Sequence, residues 1–177
     1  MLCRLVQSIL PQMNIQKIKP YNHNYVMNIQ KIKPYNHNYV MNFDGYSTGN
    51  PIATCGSGVI IYNNNTEIWK GIWSGTCFTE QNKSNTLSEY TGLIYGLQQA
   101  KKLNIKNLLI RSSSEIIINQ MNEQNICISK NIFDLFIKCK ELETDFDNIK
   151  YQYINKKLNK YAYKLAILAV ENALILK

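Results

Sequence analysis

The spacing of apolar residues changes character near the middle of this chain. Between residues 39 and 76 they fall in short runs separated by turn-forming residues, whereas from residue 86 onward they recur every three or four positions. Residues 39–43 (YVMNF) predict a strand, followed by a dense turn signal in Asp44-Gly45 and Ser47-Thr48-Gly49-Asn50-Pro51. Residues 56–62 predict a second strand, 63–66 a turn and 67–76 a third strand, so this half reads as an antiparallel meander. All eight glycines lie between Gly45 and Gly96, where tight turns and close crossings are expected. Trp69 and Trp73 are four apart and share a strand face; packing against the last helix is the expected use of their area.

In residues 86–102 the positions Leu87, Tyr90, Leu93, Ile94, Leu97 and Ala100 trace one helix face, with Asn85 or Thr86 as cap and Thr86/Glu89 at capping-box spacing. Residues 104–111 carry Leu108-Leu109-Ile110, suited to a buried strand. Ser112-Ser113-Ser114 then precede Glu115 as a helix start running to Gln120, and Ile132, Leu135, Phe136, Cys139 and Leu142 form a further helical stripe. Residues 151–154 predict a last strand, and Ala162, Leu165, Ala166, Ala169, Val170, Ala173 and Leu174 a terminal helix. Three strands, then alternating helices and strands, predict an α/β fold with a mixed sheet and helices packed on it.

A chain of 177 residues, 45% hydrophobic and 18% charged, is expected to form one globular core. Its formal charge of +8 is concentrated at the ends: residues 1–40 contain Arg4, Lys17, Lys19, Lys31 and Lys33 with no acid. Acids cluster at Asp134, Glu141, Glu143, Asp145 and Asp147, just before Lys150, Lys156, Lys157, Lys160 and Lys164. A polyanion would prefer this last segment. Five cysteines without CxxC spacing, and histidines only at His23 and His37, indicate neither a disulfide framework nor a zinc site. No secretory signal or uninterrupted membrane-length apolar run is legible, so an intracellular, soluble chain without a membrane partner is expected.

Residues 13–26 (MNIQKIKPYNHNYV) are repeated letter for letter in residues 27–40. Two Pro- and Asn-containing copies are too few for a stacked array, so residues 1–40 read as a basic, poorly ordered leader and residues 39–177 as the domain. One copy could pair as an edge strand, or the leader could act as a basic arm on phosphate backbones.

The segments Phe43-Asp44-Gly45-Tyr46-Ser47-Thr48-Gly49-Asn50-Pro51, Ser88-Glu89-Tyr90-Thr91-Gly92-Leu93, Arg111-Ser112-Ser113-Ser114 through Gln120, and Asn159-Lys160-Tyr161-Ala162-Tyr163 through Ala166 together resemble the compact, stand-alone branch of the ribonuclease H family. The resemblance covers about residues 41–170 and implies a mixed five-stranded sheet with helices packed on it. It also implies cleavage of the RNA strand of RNA-DNA hybrids with two Mg²⁺ ions held by four carboxylates. Asp44 and Glu89 match two of those positions, while Ser113 and Tyr163 stand at the other two. Paired divalent ions about 3.5–4 Å apart need several anionic oxygens, and both substitutes are neutral near pH 7. Asp44 and Glu89 then remain as a weak site for Mg²⁺ or Mn²⁺. Glu115, two residues beyond Ser113, is the one candidate replacement; Glu171 is roughly 12 Å along the helix from Tyr163.

Taken alone, Asp44 reads as an Asp-Gly turn residue and Glu89 as a first-turn helix acid. With the resemblance they become neighbours in a site. The resemblance also implies backbone contacts to a hybrid from Ser47, Thr48 and Asn50, beside a basic patch of Lys156, Lys157 and Lys160 that reads as a solvated helix edge or as phosphate contacts. The expected function is binding of RNA-DNA hybrid or structured RNA with catalysis lost or severely reduced. The alternatives are an active, divergent, metal-dependent endoribonuclease and a fold-only protein-interaction module.

Overall fold

In the computed structural model the described residues are 38–49, 52–78, 84–125 and 130–175. The expectations for residues 1–37 of the leader, including His23 and His37, and for Asn50 lie outside them. The first strand, β1 (Tyr39–Thr48), runs straight through Asp44-Gly45, where the sequence predicts a turn. Asp44 pairs with Gly58 and Gly45 with Ser57 across the antiparallel ladder to β2 (Ile52–Asn63). Gly45 serves close approach instead: a Cβ there would lie 2.5 Å from the Glu89 backbone nitrogen. The actual turn falls later, at Gly49, whose φ of +101° suits a residue without a side chain.

β2 turns into β3 (Thr66–Phe78) through Asn64 and Asn65, with φ of 47° and 67°. Two consecutive left-handed residues match the twist of a tight hairpin, and Asn tolerates that region well. The other strands are β4 (Asn107–Ser112) and β5 (Asn148–Tyr153), giving the order β3-β2-β1-β4-β5. The β1–β4 and β4–β5 pairs are parallel and the meander is antiparallel, so the sheet is mixed and five-stranded as expected.

Helix α1 (Ser84–Lys102) lies on one sheet face. It starts before Asn85 and Thr86, so neither is its cap, and its apolar side joins Met41, Phe43, Val59, Leu108 and Ile110 in the main core. Helix α2 (Glu115–Met121) follows β4, and α3 (Lys130–Glu143) packs on α1. Helix α4 (Lys160–Ile175) covers the other face of β1 and β2. Gly56 and Gly58 admit it so closely that a Cβ on either would run into α4 backbone at Ala166 or Ala162. The tryptophans therefore do not meet the terminal helix as expected. Trp69 and Trp73 pack on the opposite face with the α1 core, and Trp69 meets Tyr95 edge-on at 5.4 Å.

Cys55 is disulfide-bonded, where the odd cysteine count argues against a bridging framework. Among the described residues no helix is long and apolar enough to cross a membrane.

Candidate nucleic-acid interface and carboxylate site

Side chains alternate along β1, so Met41, Phe43 and Gly45 face α1 while Asn42, Asp44 and Tyr46 face α4. Contact at Gly45 brings the first turns of α1 against the strand. A polar seam fixes their register: Ser57 Oγ donates to the Ser88 carbonyl at 2.6 Å, and Ser88 Oγ lies 3.2 Å from the Tyr46 carbonyl. Glu89 is thereby held beside Asp44. The capping-box expectation for Glu89 is not met, because its helix begins two residues earlier, at Ser84, and its carboxylate accepts from Ser114 Oγ at 2.8 Å.

Asp44 is 6% exposed and surrounded by neutral donors. Its Oδ1 accepts from the Gly45 N–H at 2.9 Å, and its Oδ2 accepts from Ser113 Oγ at 2.9 Å and Asn159 Nδ2 at 3.1 Å. The same Asn159 amide donates to the Phe43 carbonyl at 2.9 Å, which pins the residue preceding α4 to β1. Burial raises the Asp44 pKa, against the opposing effects of Ser113, Gly45, Asn159 and the Lys156 ammonium. Burial likewise pushes the Glu89 carboxyl up to about 7; the Ser114 bond opposes this, the Asp44 charge adds to it, and Lys156 opposes it.

Ser113 thus sits where the resemblance puts a carboxylate, and it acts on Asp44 as a hydrogen-bond donor. Tyr163 lies in the first turn of α4, 41% exposed, with its ring edge-on to Tyr46 at a centroid distance of 6.1 Å. Glu115 is exposed at the start of α2, and among the described residues no group of three His, Cys, Asp or Glu could hold a metal ion. Two carboxylates converge here, and neutral donors bond both Asp44 oxygens.

Lys156, Lys157 and Lys160 are exposed at the turn leading into α4, and the Lys156 charge reaches both carboxylates. Ser47 Oγ lies 2.7 Å from both Ser84 Oγ and Asn85 Oδ1, tying the end of β1 to the start of α1, and Thr48 is exposed. Sequence reasoning did not single out Asn159, Ser114 or Tyr46. Tyr46 could have been found by strand alternation from Asp44, had β1 not been ended at residue 43. Nothing local signals that Asn159 or Ser114 would bond a carboxylate.

A mixed sheet in this strand order, with one helix pair on one face and the terminal helix on the other, is the ribonuclease-H-like fold. The chain belongs to the reverse transcriptase-like family, whose pattern matches residues 42–169. It is 27% identical over 130 residues to the bifunctional protein Rv2228c of Mycobacterium tuberculosis and to the uncharacterized protein Mb2253c of Mycobacterium bovis. The match covers 73% of this chain and 35% of each relative, so the chain spans about a third of their length. Among solved structures, the N-terminal RNase H domain of Rv2228c superposes with a TM-score of 0.69 at 25% identity, covering 77% of this chain and 95% of that one. RNase H1 from the archaeon Halobacterium salinarum gives 0.64 at 23% identity, covering 76% and 98%. LC11-RNase H1, solved in complex with an RNA/DNA hybrid, gives 0.67 at 22% identity, covering 77% and 99%.

Proposed function

We propose that this chain is a ribonuclease-H-like domain that binds RNA-DNA hybrid or structured RNA without two-metal hydrolysis. The observation that carries this reading is the pair of hydrogen bonds from Ser113 and Asn159 to Asp44 Oδ2. A cluster that hands hydroxyl and amide protons to a buried carboxylate satisfies it without a cation, whereas paired divalent ions require further anionic oxygens. Tyr163 supplies a phenol where the resemblance expects a carboxylate. The binding half rests on the fold shared with the hybrid complex of LC11-RNase H1 and on the exposed Lys156, Lys157 and Lys160 beside the site. Phosphate contacts of this kind position a duplex without reading its sequence, and hybrids present 2′-hydroxyls and backbone for recognition by shape. Thr48, and Ser47 where its hydroxyl can exchange partners, are further backbone contacts in this reading, and Asn50 is carried over as one by the family resemblance alone. In this reading the domain is assigned to residues 39–177 and residues 1–40 to a basic leader.

Hydrolysis of a labelled RNA-DNA hybrid by the purified chain in Mg²⁺ and in Mn²⁺, with Asp44→Asn as the contamination control, tests this reading. The expected result is hybrid binding with no cleavage above that control. Cleavage abolished by Asp44→Asn would instead mean that oxygens other than carboxylates at 113 and 163 complete a working metal site.

A further inference from the structure

Tyr46 and Tyr163 are not explained by the carboxylate cluster they border. Tyr46 lies two residues beyond Asp44 on the same strand face, half-buried. Tyr163 lies one helical turn beyond Asn159, its N–H bonded to the Asn159 carbonyl at 3.1 Å, so it stands above the residue that contacts Asp44. The rings meet at 89°, an edge-to-face contact that fixes Tyr163 while leaving it 41% exposed. Tyr161, two residues away, is engaged elsewhere: its hydroxyl meets Lys70 Nζ at 2.8 Å.

The surroundings indicate what such a ring would meet. Residues 153–164 contain Lys156, Lys157, Lys160 and Lys164 and no acid, and all four lysines are exposed. None of the four makes an ion pair among the described residues. Exposed aromatic rings interleaved with unpaired cations suit a nucleotide, whose base offers a π-face and whose backbone offers the charge. A base inside a duplex has both faces covered by its neighbours, so only a terminal, frayed or single-stranded base can lie on a tyrosine.

We propose that Tyr163, braced by Tyr46, is a stacking subsite for one unpaired base, so that the preferred ligand is a junction between hybrid duplex and single strand. This rests on the nucleic-acid reading above. The ring at position 163 then has a use of its own: where the family resemblance expects a metal-binding carboxylate, this chain presents a face for a base.

The test compares, by fluorescence anisotropy with the full chain, a blunt RNA-DNA hybrid and the same hybrid extended by a short single-stranded RNA overhang. A 2-aminopurine at the first unpaired position reports stacking directly. The overhang substrate is expected to bind about tenfold more tightly, the gain typical of one stacked base. Its 2-aminopurine emission should fall on binding. Tyr163→Ala should remove both effects and Tyr163→Phe should keep both, since the ring and not the hydroxyl stacks. Salt-sensitive binding of both substrates without an overhang preference, or a preference unchanged in Tyr163→Ala, overturns the subsite and leaves the nucleic-acid reading standing. Absence of salt-sensitive binding to either substrate overturns both.

Discussion

Asp44 and Glu89 are two acids side by side in a largely buried pocket, and their protonation controls how much the pocket costs the fold. Glu89 titrates near 7 in the folded chain against an ordinary 4.5. Between those values the folded state holds a proton that the unfolded state has released. Stability contributed by this group is therefore fully present below about pH 4.5 and is lost as pH rises to about 7; the Asp44 shift has the same sign. The full shift would correspond to about 3 kcal/mol, and partial exposure of Glu89 reduces the expected loss to about 2 kcal/mol. Urea unfolding at pH 5 and pH 8, without divalent ions, measures it. Wild type should lose stability between these values, and Glu89→Gln, which carries no titrating group, should show a flatter profile. Equal slopes in the two proteins would remove Glu89 as the source.

At the scale of elements, the sheet order and the helices follow from periodicity, because alternation and helical stripes are set by burial on one face. Strand ends were less legible. The sequence ends β1 at Phe43 because Asp-Gly is a turn dipeptide, yet tertiary contact holds Asp44-Gly45 extended against β2. The same contact explains why the Glu89 side of the site was visible only through the family resemblance. Proximity of Asp44 to Glu89, Ser113 and Asn159 spans up to 115 positions in sequence and has no local signal. The helix that covers the tryptophan face is illegible for a related reason: alternation shows that two residues share a face but not which helix covers it. Gly58 is the sharpest element-scale test. Its missing side chain lets α4 sit on β2, and α4 carries Tyr163 while Asn159 immediately precedes it. Gly58→Ala should destabilise the fold by about 1–3 kcal/mol, the usual cost of overpacking a tight contact. It should also displace α4 and thus weaken nucleic-acid binding, whereas an alanine at exposed Ser74 on the edge strand should do neither. Thermal unfolding alongside binding checks both effects; unchanged stability in Gly58→Ala would mean that the helix does not depend on this gap.

Over the whole molecule, charge is sorted as well as counted. Many acids of the second half already have partners: Asp145 with Lys101, Glu141 with Lys138, and Glu143 and Glu123 with Lys140. Lys156, Lys157 and Lys160 are left facing solvent at the end of the sheet where β1 and β4 deliver Asp44 and Ser113. Lys101, Lys102 and Lys106 lie at the other end, around the α1–β4 connection. The two triads carry the same formal charge, so they separate a local phosphate contact from a general attraction of a cationic protein for a polyanion. Each phosphate neutralised by a side chain contributes about 0.7–0.9 to the slope of log affinity against log salt concentration. Alanines at Lys156, Lys157 and Lys160 should reduce that slope for hybrid binding by about 2, while alanines at Lys101, Lys102 and Lys106 should lower affinity slightly and leave the slope nearly unchanged. Equal slope changes from the two triads would mean that the chain attracts nucleic acid by its overall charge of +8 and that the lysines before α4 hold no particular phosphate.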